Sequence, residues 1–365
     1  MKKVFVILAI YGLFAIITSN INLQINDGTK SMKDWKDYQL SLVDNTIDKK
    51  PDAFVKVLTP LFLMQYNPNA AVYTDTIQTI QSNLPEKFAV YAKGKVEGVD
   101  LTLIDEDKNG KYNEMGFDVM VIGDSRYGIP VSRIININNK LFECKVAQGG
   151  EKVSLKPYEG KYGVLDFISS FKCPSKLDLA ILNSTVKKRL NSDDIYINVA
   201  NNKNMPLPCG AYELWLGYIE EGTSHVLIKQ NEMESTEIRE EFDKEGQRKV
   251  TAIRWGAPFR IDFQFTVKNN EVTVPYGSLK VYGSANEEYY NFSLPLFPQV
   301  EVIDSKGILV AKGTFSAGRT TMGGAVIPIS DYSGEVKKGA TPPYKVRLSL
   351  TNKLLGELKV EKQQE

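Results

Sequence analysis

The sequence predicts a mainly β protein made of antiparallel sheets or sandwiches, with a short helical N-terminal segment and an immunoglobulin-like C-terminal region. Three observations support this fold class. After Pro85, most segments alternate apolar and polar residues, as strands with one face in a core do. Turns rich in Gly and Asn separate these segments at short intervals. Apolar residues repeat at helical spacing only in residues 31–84.

The N-terminus has the pattern of a secretory signal peptide. Lys2 and Lys3 precede an uncharged, mostly apolar run over residues 4–17, and Thr18 and Ser19 follow it. The run is shorter than the roughly 20 residues that a membrane helix needs. We expect cleavage after Ser19, no transmembrane span afterwards, and a periplasmic, cell-surface or extracellular location. An uncleaved N-terminal anchor is the alternative.

The charge balance predicts that nucleic acid is not a partner. Removing residues 1–19 takes away Lys2 and Lys3 and no acid, which leaves 43 basic residues against 44 acidic ones. A near-neutral chain has no overall field that attracts nucleic acid or an anionic membrane. The 365 residues are also more than one domain usually holds, so we expect several domains.

Changes of pattern divide the chain into a series of segments. They are a signal peptide (1–19), a helical segment (20–84), a β domain with an acidic loop (85–190), a second β region (191–256) and an immunoglobulin-like sandwich (257–365). In the helical segment, Ser31 and Asp34 form a capping-box pattern, and Trp35, Tyr38 and Leu42 follow at helical spacing. The last segment has strands at sandwich spacing without the Cys–Trp–Cys core of true immunoglobulin domains.

The cysteines and the only histidine limit the chemistry. Cys144, Cys173 and Cys209 lack the spacing of a metal site. The sequence favours three buried thiols. One disulfide with one free thiol is the alternative in an oxidising compartment, and Cys173 with Cys209 is then the expected pair because each lies beside turn residues. Because His225 is the only histidine, sites that need two histidines are excluded. Its place beside a turn predicts a surface or strand-edge position. Because the sequence contains no recognisable set of a nucleophile and a base, it favours a protein that is not an enzyme.

One loop has the pattern of a calcium site. Asp105, Asp107 and Asn109 fall at positions 1, 3 and 5 of a calcium loop, and Gly110 falls at position 6, where the chain bends sharply. This spacing matters because alternate residues can turn their oxygens toward one centre. An exported protein meets abundant calcium, so a weak site with a Kd of about 10⁻⁴ to 10⁻³ M would be filled.

The second half of the loop departs from the EF-hand pattern. Lys111 would offer its carbonyl at position 7 and Asn113 an oxygen at position 9, but position 12 is Gly116 instead of a bidentate Glu. Glu114 or Asp118 can supply the missing carboxylate. The predicted calcium ligands are Asp105, Asp107, Asn109, Lys111, Asn113 and Asp118.

An ordinary hairpin is the alternative for this loop. Asn109-Gly110 is the strongest two-residue turn signal and needs no ion. Lys108 and Lys111 can also offset the nearby carboxylates. The two interpretations are closely balanced, and the calcium supply outside the cell favours the metal site.

The loop resembles the DxDxNG loops that lie between strands in extracellular repeats and cell-surface proteins. Together with the signal peptide, the segments 105–118 and 140–163 resemble a group of uncharacterised exported bacterial β-sandwich proteins. A looser similarity continues over residues 252–313. The resemblance implies an architecture and no activity.

These features predict an exported, non-catalytic structural or binding protein of the cell envelope with a calcium-stabilised β-hairpin and a cell-surface carbohydrate or protein as ligand. One alternative is an exported carboxylate-dependent hydrolase acting on polysaccharide. Another is a lectin-like carbohydrate-binding module, for which the acids and aromatics of residues 287–292 are the candidate surface. Residues 318–324 resemble a phosphate loop only superficially.

Overall fold

The computed structural model describes residues 34–44, 55–60, 86–88, 90–184, 195–200, 202–316 and 329–364. Within these ranges the protein is mainly β and contains several antiparallel sheets, as predicted. No helix in the described ranges is long and apolar enough to cross a membrane. The predicted signal peptide lies outside the described residues.

The strands are short and follow one another along the described chain. In order they are β1 (Lys36–Gln39), β2 (Ser41–Asp44), β3 (Val55–Val57), β4 (Glu86–Phe88), β5 (Val90–Val96), β6 (Val99–Ile104), β7 (Val119–Ile122), β8 (Ile129–Pro130), β9 (Ile134–Ile137), β10 (Lys140–Val146), β11 (Lys152–Pro157), β12 (Tyr162–Asp166), β13 (Phe171–Lys172), β14 (Leu177–Ser184), β15 (Tyr196–Asn198), β16 (Met205–Pro208), β17 (Gly210–Glu221), β18 (Ser224–Lys229), β19 (Thr236–Ile238), β20 (Val250–Ala252), β21 (Trp255–Gly256), β22 (Arg260–Asp262), β23 (Thr266–Lys268), β24 (Glu271–Val274), β25 (Lys280–Tyr282), β26 (Glu288–Tyr290), β27 (Gln299–Ile303), β28 (Leu309–Thr314), β29 (Tyr332–Glu335), β30 (Lys345–Asn352) and β31 (Gly356–Gln363). A 3-10 helix spans Tyr276–Ser278.

The N-terminal region differs from the prediction. Tyr38 lies in β1 opposite Val153 of β11, and Leu42 lies in β2 opposite Ala92 of β5, so the helix predicted over these residues is wrong. The reason is pairing with distant strands, which outweighs a local apolar spacing that fits a helix. Of the other residues predicted as helical, Val55–Val57 form the strand β3. Most of the rest lie outside the described residues.

An eight-stranded sheet forms the middle layer of the protein. Its order is β15-β14-β17-β18-β26-β25-β22, with β19 paired to β17. Along β14, Leu179 and Ile181 pack with the N-terminal sheets, whereas Ala180 and Leu182 pack with the C-terminal strands. Successive side chains of a strand point to opposite faces, so this one sheet can close two hydrophobic cores.

Two sheets cover the N-terminal side of the middle layer. One has the order β2-β5-β6-β7-β8, and the other has the order β1-β11-β10-β9. Asn138 and Asn139 form the tight turn between β9 and β10, with φ angles of 52° and 62°. Asparagine tolerates the left-handed region, which suits both residues to this turn.

The C-terminal strands form the sheets β28-β27-β30-β31 and β23-β24-β29. The turn between β27 and β28 is held by Asp304, whose Oδ1 accepts the N–H groups of Lys306 and Ile308, both at 2.9 Å. β26 pairs with β18, so the middle sheet draws strands from three of the predicted segments. The immunoglobulin-like assignment and the domain boundaries stay predictions.

The cysteines do not pair. Cys144, Cys173 and Cys209 are free thiols, as the sequence favoured, and the alternative of a Cys173–Cys209 disulfide is wrong; Cys144 is buried and the other two are half-buried. Cys173 Sγ instead donates a hydrogen bond to the carbonyl of Leu354 at 3.3 Å, which directs it to the turn between β30 and β31.

His225 is buried, contrary to the expected surface position. It lies in β18 opposite Glu220 of β17, and 5% of its surface is exposed. The alternation of β18 turns it to the same side as Leu227, where its ring centroid lies 5.8 Å from that of Tyr218. Burial lowers the pKa of His225 to about 4.

We expect His225 to make the fold sensitive to acid. Its ordinary pKa is 6.5, so between about pH 6.5 and about pH 4 the unfolded chain binds a proton that the folded chain does not. Stability therefore falls as the pH drops through this window, by about 2 kcal/mol at about pH 5. His225→Gln should remove this part of the pH dependence in urea unfolding. Equal loss of stability in the variant and the wild type would contradict the account.

Candidate metal centre

The predicted calcium loop spans residues 105–118 and joins β6 to β7. Lys108 and Gly110 have positive φ angles of 61° and 83°, whereas Asn109 is not among the positive-φ residues. A two-residue I′ turn needs positive φ at both central residues, so the alternative of a tight Asn109-Gly110 hairpin is wrong. A loop of this length needs interactions of its own to keep one shape.

Backbone N–H groups hold the first two carboxylates. Asp105 Oδ1 accepts the N–H of Asn109 at 3.1 Å, and Asp105 Oδ2 accepts the N–H of Gly110 at 2.7 Å. Asp107 Oδ1 also accepts the N–H of Asn109, at 3.2 Å. These bonds curl the chain around the two acids and bring them to one side of the loop.

Asp118, at the end of the loop, is completely buried. Its Oδ2 accepts the N–H of Glu114 at 2.8 Å, but its Oδ1 has no hydrogen-bond partner among the described residues. A buried polar atom without a partner costs about 1–3 kcal/mol, and a charged one costs more. Such an atom calls for an explanation, and an ion at this position provides one.

The fold brings Asp105, Asp107 and Asp118 into one cluster. One carboxylate oxygen from each lies within 4.8 Å of the others. Calcium–oxygen bonds measure about 2.3–2.6 Å, so two oxygens on opposite sides of one ion are about 5 Å apart. A single cation can therefore contact all three acids. Asp107 is exposed and Asp105 is half-buried, which leaves the cluster open to solvent on the loop side.

Asn109 and Glu114 also form hydrogen bonds and an ion pair that hold the loop together. Asn109 Nδ2 donates to Asp107 Oδ2 at 2.9 Å and also to Glu114, while Asn109 Oδ1 accepts the N–H of Lys111 at 2.8 Å. The Lys111 ammonium lies 3.3 Å from Glu114 Oε1. Glu114 is thus paired within the loop, and of the two acids considered for the missing carboxylate, Asp118 joins the cluster.

Gly116 stands where an EF-hand has its bidentate glutamate. Its φ is +81°, and a Cβ there would lie 2.9 Å from the hydroxyl oxygen of Tyr196. A side chain at this position would be strained and would collide with the tyrosine, so the position cannot supply a ligand. The carbonyl of Lys111 and the oxygen of Asn113 stay predicted ligands.

The loop is fastened to the rest of the N-terminal sheets. The N–H of Tyr112 donates to the carbonyl of Gln148 at 2.9 Å, and the Tyr112 ring packs so closely on Gly150 that a Cβ there would lie 2.8 Å away. Glu106, to which the sequence pattern assigned no role, accepts a hydrogen bond from the hydroxyl of Thr59. The sequence pattern did not indicate these contacts of Tyr112 and Glu106, which only the fold reveals.

The charge state of Asp118 depends on what occupies the cluster. Burial raises the pKa of its carboxyl to about 6. The backbone N–H groups of Glu114 and Glu106 oppose this rise, and the negative charge of Asp105 adds to it. At neutral pH the third carboxylate therefore ionises only at a cost in free energy. A divalent cation would reverse this cost, because it favours all three charged forms.

The acids and aromatics of residues 287–292, the candidate sugar-binding surface, are largely buried. Glu287 and Tyr289 are 0% and 2% exposed, whereas Tyr290 is half-buried and lines a small pocket, so the lectin-like alternative stays a prediction. Glu287 instead accepts the N–H of Gly256 at 2.7 Å and the hydroxyl of Tyr289 at 3.1 Å. The Gly-rich stretch 318–324 lies outside the described residues.

Comparisons with protein-family models, with curated proteins and with solved structures find no match for this chain. The resemblance to exported bacterial β-sandwich proteins therefore stays a prediction.

We expect Asp118→Asn to stabilise the metal-free protein. The change removes a buried charge near Asp105 and keeps the shape of the side chain. In a chelating buffer at about pH 8, the variant should be more stable than the wild type by about 1–3 kcal/mol. Asp124→Asn, the same change at an exposed acid, is the matched control and should have little effect. A less stable Asp118→Asn protein would show that the carboxylate is well satisfied without an ion.

Proposed function

We propose that this protein is an exported, non-catalytic structural or binding component of the cell envelope, and that a Ca²⁺ ion stabilises its β6–β7 loop. The observation that supports this most is the buried Asp118, whose carboxylate lies with those of Asp105 and Asp107 and has one oxygen without a hydrogen-bond partner in the described part of the chain. Three acids around one point repel one another unless a cation lies between them.

The donor set favours calcium over other metals. All three acids offer oxygen, the donor that Ca²⁺, Mg²⁺ and Mn²⁺ prefer, whereas zinc and copper sites use histidine or cysteine. The exposed and curled loop can adjust to the 6–8 ligands that calcium takes, with water completing the shell, whereas Mg²⁺ demands a near-ideal octahedron. Asn109, Asn113 and the Lys111 carbonyl are the further protein ligands that we propose.

An ion at this position would have a structural effect. The cluster joins the start of the loop, at Asp105, to its end, at Asp118, immediately before β7. The loop also contacts the β10–β11 turn through Tyr112. Calcium would therefore fix the β6–β7 connection and the sheet contact beside it. The signal-peptide pattern supports a compartment where calcium is plentiful, so a weak site suffices.

Calcium should raise the melting temperature of the wild-type protein. An ion that binds only the folded state adds about 1.4 kcal/mol at tenfold excess over Kd. This corresponds to about 2 °C for a chain of this size. We expect that rise in millimolar calcium and its reversal by EGTA, measured by differential scanning calorimetry.

The double variant Asp105→Asn with Asp107→Asn should lose the calcium response and keep the fold. The matched control is Asp124→Asn with Glu159→Gln, which removes two exposed acids outside the cluster and should respond like the wild type. A wild-type melting temperature that neither calcium nor EGTA changes would refute the proposal. So would an equal calcium response in the Asp105/Asp107 variant.

A further inference from the structure

A second feature lies on the same side of the middle sheet. A cleft of about 510 Å³ is lined by the β9–β10 turn on one side and by β15 and Asn202 on the other. Small-molecule sites typically measure about 300–1,000 Å³. The cleft shares no lining residue with the cluster of Asp105, Asp107 and Asp118. It is therefore separate from the proposed calcium site.

The cleft is polar and uncharged. None of its described lining residues is Asp, Glu, Lys, Arg or His. Its polar lining consists mainly of the asparagines Asn136, Asn138, Asn139, Asn198 and Asn202. Each carboxamide can donate and accept hydrogen bonds. A charged ligand would lose its hydration without gaining a counter-charge, whereas a neutral ligand with many hydroxyl groups meets donors and acceptors together.

Two of the amides, those of Asn136 and Asn198, are held in place by the backbone. Asn136 Oδ1 accepts the N–H of Asn139 at 3.0 Å, within the β9–β10 turn. Asn198 Oδ1 accepts the N–H groups of Ala180 at 3.2 Å and Ala200 at 3.0 Å. Because its oxygen is engaged, Asn198 has its Nδ2 group to offer to a ligand. Side chains that are already ordered lose little entropy on binding.

Two tyrosine rings supply the apolar part of the lining. Tyr127 packs edge-to-face on Tyr218 with 5.8 Å between ring centroids, and Tyr196 packs in the same way on Trp215 at 5.3 Å. Both tyrosines line the cleft together with aliphatic side chains such as Ile129. Rings fixed from behind offer flat apolar surface to the C–H faces of a sugar ring.

We infer that this cleft binds a neutral saccharide. Fixed amides match the alternating donors and acceptors of sugar hydroxyls, and the tyrosine and aliphatic surfaces match the apolar faces of the same rings. The missing carboxylate pair among the described lining residues makes this a binding site and not a site of glycoside hydrolysis. The inference goes beyond the proposed calcium role and does not depend on it.

The test is a titration of the full-length protein, in calcium, with neutral and charged oligosaccharides. The neutral probes are cellohexaose, maltohexaose, mannohexaose and chitohexaose, and the charged probe is hexagalacturonate. We expect isothermal titration calorimetry to detect at least one neutral probe at concentrations up to about 5 mM, and to detect no binding of hexagalacturonate.

Asn198→Asp is the decisive variant, because it keeps the oxygen that accepts the backbone N–H groups and replaces the Nδ2 donor with a charged oxygen. Its Kd for the bound probe should rise about tenfold or more. Asn202→Ala, at the rim, leaves those backbone bonds untouched and should raise the Kd about threefold to tenfold. Gln247→Ala removes an exposed amide outside the cleft and should leave the Kd unchanged.

The inference is overturned if no neutral probe binds the wild type, if hexagalacturonate binds as well as the neutral probes, or if both cleft variants bind like Gln247→Ala. Melting curves of each variant identify any that fail to fold, and Asn202→Ala then decides the result. The Asp105/Asp107 variant tests the calcium site separately, so failure of one proposal is distinguishable from failure of the other.

Discussion

The buried carboxylate of Asp118 is the constraint around which the β6–β7 connection is arranged. It has one oxygen bound by the N–H of Glu114 and one oxygen without a partner, and two further acids approach it within 4.8 Å. The loop bonds of Asp105 and Asp107 bring like charges together, which costs free energy unless protonation or a cation offsets the repulsion. The calcium ion that we propose would account for both the unpartnered oxygen and the convergence of the acids.

The surrounding fold makes the loop matter beyond its own residues. The middle sheet closes two cores, and both the acid cluster and the asparagine cleft lie on its N-terminal side. Tyr196 connects them, because its hydroxyl reaches Gly116 in the loop while the residue lines the cleft. An ion that orders the loop would therefore also fix Tyr196 in the wall of the cleft. This is consistent with the proposal that the protein binds a ligand and does not catalyse a reaction.

The alternation of apolar residues was enough to predict a mainly β protein, and the oxygen spacing was enough to predict the acidic loop with Asp118 in it. The sequence could not reveal that Tyr38 and Leu42 pair with distant strands, since local spacing contains no information about a partner strand. Burial of His225 was missed because the sequence does not show that β18 is a central strand of the middle sheet, where the His225 ring lies beside that of Tyr218. In the sequence, the asparagines of the cleft have the pattern of turn residues. Only the fold brings β15 close to Asn138, so that they line one cleft.

A crystal structure from crystals grown in about 10 mM calcium chloride tests the central claim most directly. The account predicts one density peak with anomalous signal in the β6–β7 loop, with oxygens of Asp105, Asp107 and Asp118 at about 2.3–2.6 Å from it. A well-ordered loop with no ion, or with Asp118 Oδ1 bound to a protein group or a water molecule, would contradict the account.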